Sequence, residues 1–338
     1  MKTIEELEAF LTIPSDGLVK DIAGLEGDIM IAGVGGKMGP TLAKLVKKAV
    51  DRSGVEKVVY GVSRFSAGSL RQELEDAGIK TIVADLLNEA DLESLPDVKN
   101  IIFMAGNKFG TVGNEHFTWA MNTYLPGRFA ERFPDSRIVA FSTGNVYPFI
   151  DVISSHCSEH HPVNPVGEYA QSCLGRERVL TYFAHKNQTE MLFFRLNYAI
   201  DLRYGVLLEV ARQVQEGRPI DLTMGNVNVI WQGDANEYAI RSLLHVDSPP
   251  KILNVTGPET ISVRWLAGEF GRRFGKEPVF IGEEQKTALL NDASQAHKLF
   301  GYPKVTIQQM IDMTADWVLG GGHTYDKPTH FQERQGAF

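Results

Sequence analysis

The run Gly33-Val34-Gly35-Gly36-Lys37-Met38-Gly39, set directly behind Asp28-Ile-Met-Ile-Ala, limits the folds open to this chain more than any other feature. A short apolar segment that breaks into closely spaced glycines and then runs into a helical pattern predicts strand, tight turn and helix N-terminus. Glycines permit the turn, let a backbone approach a pyrophosphate, and let helix and strand pack closely. The first helical N–H groups and the helix dipole favour negative charge at the same place. The expected role of Gly33, Gly35, Gly36, Lys37, Met38 and Gly39 is therefore to cradle a dinucleotide.

The chain beyond this loop keeps the same cadence. Val58–Val62, Thr81–Ala84, Asn100–Met104 and Arg137–Phe141 are short, apolar and rich in β-branched residues, and helical patterns such as Thr41–Asp51 and Thr118–Arg132 separate most of them. Strand, helix, strand at this spacing predicts right-handed crossovers and a Rossmann-type α/β fold, a doubly wound parallel sheet covered on both faces. Residues 1–27 read as a helical extension, 28–200 as the dinucleotide-binding domain, 201–320 as mainly a smaller α/β substrate lobe, and 321–338 as a polar tail that wraps the surface or stays mobile. Helices are expected near 3–11, 204–216, 233–246, 263–275 and 306–319.

Composition narrows the functional classes. The chain has 338 residues, of which 43% are hydrophobic, enough for a large core. A net charge of -8 without a basic stripe argues against nucleic acid as a partner. No apolar run approaches the roughly 18 residues of a membrane span, so no membrane association is expected. Two cysteines, Cys157 and Cys173, argue against a disulfide framework and fit a reducing cytoplasm.

From about residue 28 to about 320 the chain resembles the extended short-chain dehydrogenase/reductase superfamily, specifically the NAD-dependent epimerase/dehydratase family. The resemblance rests on several motifs in the right order. They are Gly33-x-x-Gly36-x-x-Gly39; Asp85-Leu86 after the third strand; Ala105-Gly106 after the fourth; Asn122 in a helix; Ser142-Thr-Gly-Asn-Val-Tyr147; and Glu168-Tyr-Ala-Gln-Ser172. Leu253-Asn-Val-Thr-Gly-Pro-Glu259 and Asn291-Asp-Ala-Ser294 resemble landmarks of the family's substrate lobe. The resemblance implies that Asp85 and Leu86 contact adenine, that Ala105 and Gly106 lie beside the cofactor, and that Asn122 supports the active site. It further implies that Thr143 orients a substrate oxygen and that Tyr169 moves a proton while touching the cofactor. A sugar, nucleotide sugar or related polyol is the implied substrate, and a homodimer joined through the helices bearing Asn122 and Tyr169 the implied assembly.

Two positions depart from the simplest expectation. At the end of the second strand, where an acid commonly accepts the ribose hydroxyls of NAD, this chain has Ser63-Arg64. A hydroxyl and a guanidinium suit a 2′-phosphate, so NADP is preferred over NAD. Four residues after Tyr169, where the family places a lysine, stands Cys173, a neutral thiol. Three readings stay open: a substitute cation (Arg176, Arg178 and Lys186 lie downstream), chemistry in which neutral tyrosine acts as an acid, or a non-catalytic cofactor-binding sensor or partner protein. Cys173 itself reads better as a small buried cysteine than as a nucleophile.

The segment 148–168, with His156, Cys157, His160 and His161, is expected to overhang the cofactor. Adjacent histidines on one loop rarely converge on a single ion, so no metal site is assigned. Asn145 and His156 are candidates for substrate hydroxyls, as are Asn197 and Arg203 beyond the next strand.

Overall fold

The computed structural model describes residues 1–66, 68–153 and 157–336; His156 lies outside the described residues. Seven parallel strands form the central sheet: β1 (Ile29–Ala32), β2 (Val59–Ser63), β3 (Lys80–Val83), β4 (Asn100–Phe103), β5 (Arg137–Thr143), β6 (Met191–Leu196) and β7 (Lys251–Val255). Their spatial order is β3-β2-β1-β4-β5-β6-β7. Ile29 is in register with both Val59 and Asn100, so β1 is flanked on both sides by parallel neighbours and every residue of it is buried. Strands buried on both faces need near-continuous apolar runs, which Ile-Met-Ile-Ala and Asn-Ile-Ile-Phe supply. The direction of winding reverses between β1 and β4. In such sheets the crevice beyond the carboxyl ends of those two strands is the place for a ligand.

Helix Gly39–Ser53 follows the glycine turn with proline in its first turn, where no N–H donor is lost, and ends on Gly54 at φ 71°. The Thr118–Arg132 expectation is met in three pieces. Helix Glu115–Trp119 passes through a π-helical turn, Ala120–Tyr124, into helix Leu125–Arg132. That wide turn carries Asn122. The long helix Gly167–Asn187 crosses behind it and bears Tyr169, Cys173 and Arg176.

The lobe boundary expected at residue 200 is crossed by the chain. After helix Val206–Glu216 the polypeptide returns, and Lys251–Val255 becomes the outer strand of the central sheet, paired with β6 from Lys251↔Leu192 to Val255↔Leu196. Helix Gln232–Arg241 likewise packs on helix Gly39–Ser53. Its buried Gln232 and Asn236 both donate to the Thr41 hydroxyl, each at 3.1 Å. A run of apolar residues at 251–255 cannot be assigned to one sheet or another by pattern alone. The remaining elements, helices Val263–Phe274 and Ile307–Leu319 with short strand pairs, make the smaller lobe.

The N-terminal helices bridge the two halves, and the tail is tied to the smaller lobe. Helix Ile4–Leu11, capped by the Thr3 hydroxyl, buries Leu7 and Leu11, and its Glu8 reaches Lys44 at 2.7 Å and Arg203 at 3.2 Å. A second helix, Asp16–Gly24, is capped by Ser15 and packs on Gly39–Ser53. The tail wraps the surface as far as residue 336. Phe331 is buried, the Tyr325 N–H donates to the Arg203 carbonyl at 3.0 Å, and Arg334 donates to the Thr287 carbonyl at 2.8 Å. No helix among the described residues is long and apolar enough to cross a membrane.

Candidate active site

A cavity of about 850 Å³ opens at the carboxyl edge of β1 and β4, where the sheet reverses. Its floor is the glycine loop. Gly33 holds φ +91°, and a Cβ there would stand 2.7 Å from the Ala105 amide nitrogen. A Cβ on Gly35 would collide with the Ser63 hydroxyl, and one on Gly39 with the Val34 carbonyl. Gly35, Gly36, Lys37 and Met38 line the cavity, so bare backbone and the opening of helix Gly39–Ser53 face the space. This is the cradle a pyrophosphate requires.

Gly106 faces the same space from the end of β4. A side chain there would sit 2.7 Å from an Arg176 nitrogen and 3.0 Å from the Asn122 Oδ1. Asn122 is fully buried and uses both ends of its amide. It donates to the Asn107 carbonyl at 2.8 Å and to the Ser172 hydroxyl at 3.0 Å, and it accepts from the Asn107 N–H at 2.8 Å. It thus locks the loop after β4 to the Tyr169 helix and is a positioning group. Arg176, 5% exposed, fills the space beneath. Its guanidinium donates to the carbonyls of Asn122 (3.1 Å), Ala105 (3.3 Å) and Phe141 and to the Asn122 Oδ1 (3.0 Å). Seven residues separate Tyr169 from Arg176, close to two helical turns, so both point to the same side.

Thr143 ends β5 on the opposite wall. Its hydroxyl accepts from the Asn145 N–H and donates to the Asn145 Oδ1, both at 3.1 Å, and it lies near enough to the Tyr169 phenol to favour its ionised form. Tyr169 lines the cavity half-buried, and its desolvation there, with the Cys173 sulfur beside it, pushes its pKa well above the ordinary phenol value. Cys173 is 1% exposed beside Tyr169; burial pushes its thiol up as well, so it stands there neutral.

Two lysines bring positive charge into the cavity. Lys37, from the glycine loop, donates to the Ala199 carbonyl at 3.3 Å and lies 3.9 Å from the centroid of the Tyr204 ring. Burial lowers its pKa to about 7, against the pull of Asp201. Lys108, on the loop after β4, places its ammonium 5.7 Å from the centroid of the Tyr169 ring, and burial lowers its pKa to about 8. No sequence pattern singles out Lys108; only the fold carries that loop to the tyrosine.

Asn145, Asn197 and Arg203 all line the cavity. Asn197 is 2% exposed and donates to the Leu289 carbonyl at 3.4 Å. Arg203 is held by Asp201 at 2.8 Å and by Glu8, so much of its charge is answered within the protein. Tyr198, Tyr204, Tyr325, Lys327 and Thr329 complete this end. The contribution of the tail was not expected, since a polar terminal stretch carries no periodicity that marks it as a wall.

Besides Gly33 and Gly39, which shape the loop from behind, five cofactor candidates lie away from the lining. Ser63 packs under Gly35, and Arg64 is exposed. Asp85 accepts from the Leu87 N–H at 3.1 Å, and Leu86 is buried in the core. Ala105 is also buried, with its carbonyl facing Arg176. Among the described residues, no three His, Cys, Asp or Glu side chains gather as a metal site would need.

No curated protein matches the sequence. Solved structures do share the fold. UDP-glucuronic acid 4-epimerase from Bacillus cereus, bound to UDP-glucuronic acid and NAD, aligns over 86% of this chain and 99% of its own with a TM-score of 0.71 and 18% identity. UDP-glucose 4-epimerase from Thermus thermophilus with NAD aligns over 86% and 98%, TM-score 0.69, at 18% identity. The dTDP-glucose 4,6-dehydratase DesIV from Streptomyces venezuelae, also with NAD, aligns over 86% and 97%, TM-score 0.72, at 17% identity. At the level of sequence, residues 29–248 match one family throughout the glycine cradle, the Thr143 strand and the Tyr169 helix, and the chain belongs to the NAD-dependent epimerase/dehydratase family.

Proposed function

We propose that this protein is an NAD-dependent epimerase, dehydratase or reductase acting on a nucleotide sugar or a related sugar-like substrate. One observation carries the reading: Thr143 and Tyr169 line the same cavity as Gly35 and Gly36 of the glycine cradle. Crystallised relatives of the same fold hold NAD and nucleotide sugars. The cradle fits the dinucleotide because Gly33, Gly35 and Gly39, with no Cβ to collide with Ala105, Ser63 and Val34, let the loop fold tightly and turn the bare backbone of Gly35 and Gly36 to the cavity. When bound, the nicotinamide supplies a hydride acceptor or donor.

The rest falls to the chain. Thr143 holds the reacting oxygen by hydrogen bonding. Tyr169 takes the hydroxyl proton when a carbinol is oxidised and returns it when a carbonyl is reduced. Its raised pKa keeps the phenol neutral at rest, which suits donation. Asn145, Asn197 and Tyr204 offer hydrogen bonds to sugar hydroxyls, and the tail residues Tyr325 and Thr329 close that end against water.

The cofactor is read as NAD. The expectation of NADP rested on Ser63 and Arg64, but Ser63 lies beneath Gly35, Arg64 is exposed, and Glu73 lines the cavity beside the glycine loop, where a carboxylate repels a 2′-phosphate. We further infer a homodimer through helices Leu125–Arg132 and Gly167–Asn187, whose neighbourhood exposes Tyr124 and Tyr182, and a cytoplasmic location consistent with two free cysteines.

Tyr169→Phe tests the mechanism. Removal of a positioned acid–base group is expected to lower turnover on an accepted nucleotide sugar by about 10²–10⁴-fold, with NAD affinity retained. Unchanged turnover removes Tyr169 from the chemistry. A rival reading, a cofactor-holding protein without turnover, draws on the neutral Cys173. It is upheld if NAD binds and no substrate of a broad nucleotide-sugar panel is converted.

A further inference from the structure

Tyr169 poses an electrostatic problem. To accept a proton it must first become a phenolate, yet its half-buried setting disfavours that charge and the atoms beside it on its own helix include a neutral thiol. A buried anion needs a nearby cation. The groups facing Tyr169 are Cys173 and Arg176 from its own helix, Thr143 from β5 and Lys108 from the loop after β4. Arg176 contributes charge, but four of its donor contacts already run to carbonyls and to Asn122, which fixes it beneath the loop rather than at the reacting oxygen. Lys108 differs in kind. Its ammonium is a point charge on a flexible stem, and it stands at the cavity wall, 5.7 Å from the centroid of the Tyr169 ring.

We propose that Lys108 is the cation that enables Tyr169 to work as a base, stabilising the phenolate from across the cavity. The inference rests on the proton-transfer role of Tyr169 and deepens it. In the oxidative step the substrate carbon loses its hydride to the nicotinamide while the hydroxyl proton passes to the Tyr169 oxygen. The reductive step reverses both. Lys108 keeps its proton throughout, so it is a positioning charge rather than a transfer group. Its lowered pKa of about 8 still leaves it mainly cationic at neutral pH. Lys37 faces Lys108 closely enough for mutual repulsion, and the ring of Phe109, next to Lys108, packs on His330 at 6.2 Å. The Cys173 thiol on the Tyr169 helix is near enough to act on Lys108 as well.

The test places tetrafluorotyrosine, a phenol acidic enough to ionise while Lys108 still holds its proton, at position 169 of the full chain and follows its ionisation by fluorine NMR, without substrate, in the parent, Lys108→Met and Lys108→Arg proteins. With the ammonium 5.7 Å from the centroid of the ring over which the phenolate charge spreads, a unit charge at an effective dielectric of about 20 shifts a pKa by roughly two units while Lys108 stays protonated, and solvent in the cavity reduces this to about one to two units. Lys108→Met is therefore expected to raise the ionisation point by that amount, with Lys108→Arg close to the parent. The rising limb of turnover against pH is expected to move in the same direction. Lys108→Gln serves if the methionine variant does not fold. An unchanged ionisation point in a folded Lys108→Met or Lys108→Gln protein overturns the proposal. Failure of the Tyr169 mechanism has a separate signature, unchanged turnover in Tyr169→Phe, and does not alter the NMR result.

Discussion

Beneath the Thr143 strand lies a buried ion pair whose removal has a calculable cost. Glu177 and Arg195 have side chains only 5% and 4% exposed. They meet through two parallel contacts, Arg195 Nε to Glu177 Oε1 at 2.9 Å and Nη2 to Oε2 at 2.6 Å. The Ser142 hydroxyl donates to Glu177 at 2.6 Å. Arg195 also donates to the Tyr147 hydroxyl at 2.6 Å, and Tyr147 in turn donates to Asn254 at 2.9 Å. Replacing Glu177 by leucine leaves a guanidinium with no counter-charge and a serine without its acceptor. Breaking a buried pair in this way costs about 3–5 kcal/mol, against a total stability of about 5–15 kcal/mol. With a urea slope of about 1–3 kcal/mol per molar, the unfolding midpoint is expected to fall by about 1 M or more. The double variant Glu177→Leu/Arg195→Met removes both charges and is expected to recover a large part of that loss. Urea unfolding followed by far-UV circular dichroism measures both. A single variant within about 1 kcal/mol of the parent, or a double variant less stable than the single, would refute the reasoning.

Two further predictions concern the cradle. Gly39→Val pushes a Cβ into the Val34 carbonyl; NADH affinity, read by fluorescence titration, is expected to drop at least about tenfold, about 1.4 kcal/mol. Lys37 and Lys108 have pKa values lowered to about 7 and about 8, both mainly by burial. A cation assists an anionic ligand below its pKa and ceases to do so above it, so NADH affinity is expected to decline as pH rises from about 6.5 to about 9. Lys37→Met is expected to flatten the lower part of that decline, and a profile identical to the parent's would contradict it.

What the sequence disclosed and what it hid divide along physical lines. The glycine loop was legible because a tight turn with no room for Cβ admits only one residue type, and Gly33, Gly35 and Gly39 each show that constraint. The parallel strands were legible because burial on both faces demands unbroken apolar runs. Thr143 and Tyr169 were legible through motif order alone. The return of Lys251–Val255 to the central sheet was not, since pairing with β6 is a choice among partners far apart in sequence. Lys108 carries no local pattern, and its relation to Tyr169 exists only because Asn122 pins its loop to the Tyr169 helix. The π-helical turn that presents Asn122 has no compositional mark, and the wall built by Tyr325, Lys327 and Thr329 comes from a stretch whose anchor, Phe331, is a lone apolar residue among polar ones.

Every role assigned to these residues depends on the cavity at the β1–β4 reversal holding a nicotinamide dinucleotide. Native mass spectrometry of the purified chain, alone and with NAD or NADP added at rising concentration, puts that dependence to the test. One dinucleotide per chain is expected, with NAD bound more tightly than NADP and the Gly39→Val protein binding weakly. A chain that acquires neither mass at millimolar dinucleotide would overturn it.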